Sequence, residues 1–269
     1  MVRYKRNLPN NTVKKIRQYI KNILVVPDSE NHPKEWVSFE EVDDLPEPES
    51  LDQLGDLFKF SSPLDPQMPA PNKAGSWFIS TVNPGSVFSK LPGLKLKSGW
   101  RLVSYLYRQQ DNGVGITWAV PEDRSTTAEL ENALADSSDE ITPPHPTGAL
   151  PDFMEALEGD RSPMSFMIAS LLRLELEEFG RLGKHCRWSN HWLINEIPAQ
   201  VKWQWKTSSA PKDLSTKVQV LPDGKVAVEF FTLQVTKPVV ICRHLEQYPA
   251  SGYNAKYVDR PVAIPVCKT

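Results

Sequence analysis

Proline limits how this chain can fold more than any other residue does. Its 24 prolines are roughly twice the usual share. A residue with a fixed φ and no amide proton stops helices and is kept out of central strands, so regular elements can grow only between the prolines. Pro27, Pro46 and Pro48 close off a short N-terminal segment, and Pro121, Pro143, Pro144 and Pro146 open a gap in the middle. The resulting segmentation is 1–60, a basic helix plus acidic connector; 61–121, a first β-rich lobe; 122–162, a Pro-rich linker; and 163–269, a helix plus a second antiparallel β lobe. The fold class expected is α+β: two β-rich antiparallel lobes with an N-terminal amphipathic helix and one central helix.

The first helix is predicted over Thr12–Leu24. Val13, Ile16, Ile20, Ile23 and Leu24 recur at helical spacing, Asn11 or Thr12 can cap the start, and Pro27 ends it. Arg3, Lys5, Arg6, Lys14, Lys15, Arg17 and Lys21 place seven basic groups and no acidic one in the first 21 residues. Such an end can meet RNA phosphates, an anionic membrane surface or an acidic partner; the plainer reading is a solvated face on a packed helix. Charge then reverses. Eleven carboxylates between Asp28 and Asp56 face one basic residue, Lys34, which points to neutralisation of the basic helix within the chain.

A strand is predicted over Ser76–Val82, followed by a hairpin of Trp100–Arg108 and Val114–Val120 around Asp111, Asn112 and Gly113. Trp100, Tyr105, Tyr107 and Trp118 on that hairpin read as core, with a base-stacking platform as the alternative. A short helix is expected over Thr127–Ala135, then a loop. Ser162 caps a helix that opens with Pro163 and stops at Gly183, with Glu175, Glu177 and Glu178 on its exposed side. Val201, Trp203 and Trp205 alternate with Lys202, Gln204 and Lys206, so one face of that strand is apolar and the other is a contact surface. At least four antiparallel strands are expected here. Val218–Val228 turns at Pro222, Asp223 and Gly224, and Val239–Tyr248 returns to Ala255–Ile264 through Pro249, Ala250, Ser251 and Gly252.

Chemistry-bearing motifs are sparse. Cys186, Cys242 and Cys267 are odd in number and widely spaced, without CxxC, which argues against a disulfide framework. His185, Cys186, His191, Cys242 and His244 fit no zinc module, and no oxyanion hole or orienting group marks a Cys–His nucleophile pair. No Gly-rich phosphate loop is present. No catalytic residue, metal or cofactor is assigned, and the chain reads as a non-enzyme. A net charge of -2 gives no general attraction to nucleic acid, so phosphate contact must come from a local patch. The longest apolar run near the start, Ile23–Val26, is too short to span a membrane. The expected compartment is the cytoplasm, with no membrane partner and no small-molecule substrate.

The segments RLVSYLYRQQDNGVGITWAV and PVVICRHLEQYPASGYNAKYVDRPVAI carry a strand running into a turn ended by Trp118 and a pattern of Arg243, Leu245, Tyr248, Gly252, Val258, Asp259 and Arg260. In these the chain resembles an accessory subunit family of type III-D CRISPR effector complexes. The resemblance implies a non-catalytic subunit of a guide-RNA-bound, target-RNA-cleaving ribonucleoprotein, with other effector subunits, guide RNA and target RNA as partners. The contact residues expected are Arg3, Lys5, Arg6, Lys14, Lys15, Arg17 and Lys21, then Lys202, Trp203, Trp205 and Lys206. Two alternatives stay open: a stand-alone soluble cytosolic protein binding a ligand or partner, and an enzyme built around Cys242, His244 and His191.

Overall fold

The computed structural model describes residues 4–32, 74–137, 139–206, 210–211 and 213–266. Arg3, Cys267 and nearly all of the acidic connector lie outside the described residues. The architecture is α+β, with every strand pair antiparallel.

The chain opens with strand β1, Tyr4–Leu8, a segment whose YKRNL sequence has no apolar alternation. Helix α1 follows at Asn10–Ile23. Neither Asn11 nor Thr12 caps it: Pro9 is the N-cap, and its carbonyl accepts from the amides of Thr12 and Val13. A one-turn helix α2, Asp28–Asn31, comes after Pro27. Its Glu30 is buried, accepting from Ser80 Oγ at 2.8 Å and from the Thr81 amide at 2.7 Å, and is committed to folding instead of shielding α1.

Strands β2, Trp77–Ile79, β3, Leu94–Leu96, β4, Trp100–Gln109, and β5, Asn112–Pro121, come next, and β4 lies between β2 and β5 in a three-stranded sheet. The hairpin turn is not at Asn112-Gly113. Gln109 pairs with Asn112, which makes Gln110 and Asp111 the turn and puts Gln110 at φ 53°. Gly113 and Gly115 are instead strand residues without a side chain where other segments come close: a Cβ on Gly115 would sit 2.2 Å from the Phe179 carbonyl oxygen. The aromatic residues of the hairpin are core. Tyr105 is fully buried and donates to the Leu130 carbonyl, while the Trp118 indole donates to Pro144.

The stretch 122–162 does more than connect. Helix α3, Thr127–Asn132, packs Leu130 against Trp77, Val103, Tyr105, Tyr107 and Val120, covering the outer face of the small sheet. Phe153 and Met154 enter the main core, and β6, Leu157–Gly159, pairs with β3.

Helix α4, Pro163–Glu178, begins as the sequence predicts, with Ser162 Oγ accepting from the Ser165 amide, but it ends before Gly183 and is buried on nearly every side. Its polar residues therefore each need a buried partner. Ser165 bonds the Tyr253 hydroxyl, Ser170 the Tyr248 hydroxyl, Arg173 the carboxylate of Glu246 at 2.6 Å, and Glu175 the guanidinium of Arg17 at 2.6 Å. Glu175, expected on an exposed side, is buried for that reason.

The second sheet comprises β1 with β7, His191–Ile194, β8, Trp203–Trp205, β9, Thr216–Val220, β10, Val226–Gln234, β11, Val240–Tyr248, and β12, Lys256–Pro265. Its order is β1-β9-β10-β11-β12-β8, and β7 extends the β9 side by pairing with the second half of β10. The largest buried cluster draws on α1, β4, α4, β9, β10 and β11 together. The two β-rich stretches are thus joined through α4, while smaller clusters line the outer face of each.

The Arg173–Glu246 pair tests this packing, because its two side chains are 4% and 0% exposed. Deleting one partner strands a buried charge at a cost of about 3–5 kcal/mol. Arg173→Met, which among the described residues leaves the Glu246 carboxylate with only the Tyr248 hydroxyl, is expected to lower the urea midpoint by that amount of stability; a loss under about 1 kcal/mol, the scale of a surface pair, would contradict the pairing.

Candidate nucleic-acid interface

Strand alternation builds the floor of a polar cleft. Opposed residues in an antiparallel sheet share a face. The pairs Phe230↔His244↔Asp259, Thr232↔Cys242↔Pro261 and Glu246↔Tyr257 therefore all point to the side that α4 covers. Leu193 is opposite Thr232, and His191, two residues earlier on β7, lies on the same side. Past the end of α4, a loop anchored by the paired Gly113 and Leu182 carries Arg181 and Arg187 over the edge. Together these enclose a cavity of about 450 Å³.

A chain of hydrogen bonds crosses this floor. His191 Nδ1 lies 2.8 Å from Thr232 Oγ1, Thr232 Oγ1 lies 2.8 Å from His244 Nε2, and His244 Nδ1 lies 2.7 Å from Asp259 Oδ1. A carboxylate only accepts, so His244 donates through Nδ1; with His244 neutral, its Nε2 accepts from the threonine hydroxyl. The threonine oxygen then accepts from His191 Nδ1–H. This assignment follows from the donor and acceptor inventory. It leaves the lone pair of His191 Nε2 without a hydrogen-bond partner among the described residues.

The surroundings hold the rings in place. Trp188 stacks on His191 at 5.5 Å, Phe230 stacks on His244 at 4.7 Å, and the Arg17 guanidinium sits 4.2 Å over Trp188. Burial raises the Asp259 carboxyl, but the hydrogen bond and positive charge of His244, with Arg173, outweigh it and hold the group below its ordinary value. The Cys242 thiol is pushed up to about 11 by burial and by Asp259, so it is no thiolate nucleophile near neutral pH.

This cavity does not stand alone. His191 also lines a neighbouring cavity with Lys14, Lys21 and Trp192, and Lys21 and Arg181 meet in a third, so the three cavities adjoin through shared lining residues and together are called the trough. Its carboxylates are all engaged. Glu175 holds Arg17 and the Trp188 indole, Glu177 holds Arg173, Glu178 accepts the amides of Arg187 and Ser189, and Asp259 holds His244. Lys14, Lys21, Arg181, Arg187 and Arg260 have no ion pair among the described residues. Two aromatic rings border the trough in solvent: Trp192, 62% exposed, and Tyr257, 49% exposed.

The expected contact residues are distributed unevenly about it. Lys14, Lys15 and Lys21 are exposed on α1, and two of them line the trough. Arg17 is buried, its guanidinium engaged by Glu175 and the carbonyls of Trp188 and His191, and it lines the cavity that holds Lys14 and Lys21. Lys5 and Arg6 are exposed on β1, at one end of the strand order, while Lys202 and Lys206 are exposed at the other end, beside β8. Trp203 and Trp205 turn inward onto Phe231, Ile241 and Val262, and the Trp203 indole donates to Pro198, so they are packing residues. His191, Cys242 and His244 converge on one cavity. Cys186 instead donates to the Arg181 carbonyl, and His185 pairs with Glu140. Among the described residues, no three of His, Cys, Asp and Glu come together as a metal site requires. Among them also, no helix is long and apolar enough to cross a membrane.

Trp192, Arg181, Arg187, Tyr257 and Arg260 were not legible as one site, because they come from two stretches, 181–192 and 257–260, that are far apart in the chain. Comparison with known families, with curated proteins and with solved structures finds no match to this chain.

The buried imidazole has a measurable signature. Burial first, then the positive charges of His244 and Arg17, push His191 down to about 4, against the opposing charges of Asp259 and Glu178. The unfolded chain takes up that proton near the ordinary histidine value of about 6.5. Between those values the unfolded state binds more protons, so stability rises with pH. Urea midpoints are expected to fall on acidification through this window, and less steeply in His191→Phe, which keeps a flat ring against Trp188. Equal slopes in the two proteins would exclude His191 as the source.

Proposed function

We propose that the chain is a non-enzymatic, cytoplasmic accessory subunit of an RNA-guided, type III-like CRISPR effector ribonucleoprotein, bridging protein subunits and holding single-stranded guide or target RNA in the trough. The resemblance of the hairpin and C-terminal segments supports membership in the assembly. The RNA contact rests on one observation: Trp192 stands exposed beside Lys14 and Lys21, which have no ion pair among the described residues. Proteins that bind single strands pair cations for the backbone with aromatic faces for the bases, and this local patch works on a chain with no overall positive charge. A non-enzymatic role is supported by the Cys242 thiol, which burial and Asp259 keep protonated near neutral pH.

Two measurements test this reading. Trp192→Ala is expected to cost about 1–3 kcal/mol in affinity for single-stranded RNA, the usual worth of one stacked base. Lys14→Gln with Lys21→Gln should flatten the plot of log affinity against log salt by about 0.7 for each phosphate no longer neutralised. Unchanged affinity and slope would remove the trough as the RNA site. Purification from the native host should bring CRISPR-associated subunits and small RNA; an RNA-free monomer would favour a stand-alone binding protein.

A further inference from the structure

The cations of the trough explain how it would hold phosphates but leave one group unused. His191 lies where the two cavities meet, with Lys14 and Lys21 on one side and Arg181, Arg187 and Arg260 on the other. With His244 neutral, the Nε2 of His191 presents a lone pair, because Thr232, His244 and Asp259 then commit the proton to Nδ1. A phosphate oxygen only accepts and would be repelled there; the atom needs a donor. It is a poor proton abstractor as well, since burial and neighbouring charge hold its pKa at about 4, far below the value that suits a general base at neutral pH. A neutral acceptor between two groups of cations matches the repeat of a ribonucleotide backbone, in which each ribose, with its one hydroxyl donor, lies between two phosphates.

Resting on the reading of the trough as a single-strand site, we infer that His191 Nε2 accepts a hydrogen bond from a ribose 2′-hydroxyl, so that the trough selects RNA over DNA. The 2′-hydroxyl is the group by which a protein tells the two apart. Thr232 is the positioning residue: its hydroxyl fixes the tautomer of His191 and does not itself reach the ligand.

The test uses the full chain and three oligonucleotides of one uridine sequence, with ribose, 2′-deoxyribose or 2′-fluororibose, in fluorescence anisotropy at about pH 8, where an ordinary histidine is neutral. The 2′-fluoro strand keeps the size and pucker of RNA but has no donor. The ribose strand is expected to bind about 3- to 10-fold tighter than the other two, the worth of one net hydrogen bond. His191→Phe should erase that difference. Thr232→Val should reduce it and should move the His191 ring nitrogens away from the Nδ1–H pattern in 15N NMR, a change that altered packing alone would not produce. Equal binding of all three strands, or a preference that survives His191→Phe, overturns the inference and leaves the single-strand site standing. No binding of any strand overturns both.

Discussion

Arg17 and Glu175 form the contact on which the trough depends. The pair joins α1 to α4 inside the core, at 2.6 Å, and neither side chain is more than 10% exposed. Two buried ions repay their desolvation only when their remaining hydrogen-bonding capacity is met, and here it is met by the loop leading into β7. Glu175 accepts from the Trp188 indole at 2.7 Å, while Arg17 donates to the carbonyls of Trp188 and His191. The same guanidinium lies over the Trp188 ring, which stacks on His191. One ion pair therefore sets the position of a helix, a loop and the imidazole at the centre of the site.

A second set of contacts fixes the opposite wall. Arg108, fully buried on β4, donates to the Gly180 carbonyl at 2.7 Å and to Glu30 O at 3.0 Å, tying the end of α4 and α2 to the small sheet. Burial pulls its pKa down to about 10, partly offset by the charge of Glu30, so it stays protonated at neutral pH. Leu182 and Gly113 exchange backbone hydrogen bonds beside it. The hairpin far from the cleft thus decides where Arg181 stands. The missing side chain at Gly115 lets the chain at Phe179 come close enough for this, and that at Gly113 leaves room for the Arg108 side chain.

How much of this was legible in the sequence follows from the range of the interactions. Strands β9 to β12 and their turns were readable because alternation and Pro222-Asp223-Gly224 or Pro249–Gly252 act within a few residues. The pairing of β1 was not, since YKRNL has no pattern of its own and takes its conformation from the backbone of β9. The helix α4 was found but its faces were misjudged: Glu175 is charged, and only a partner 158 residues away makes its burial tolerable. Arg17 did carry a signal, lying four residues after Val13 and three before Ile20, on the apolar stripe. His191 and His244 stood out as chemistry-bearing residues, but Thr232, which connects them, is 41 and 12 residues away and has no signature of its own.

Interleaved charge in the trough has a kinetic consequence. The chain carries -2 overall, and each row of cations lies against carboxylates that are committed to other bonds. Beyond about 8 Å in physiological salt these fields cancel and are screened, so an approaching polyanion meets little long-range pull and its encounter rate receives no electrostatic boost. Attraction begins only when phosphates are already within contact distance of Arg181, Arg187 and Arg260. Such a surface retains a strand that something else has delivered far better than it captures one from dilute solution.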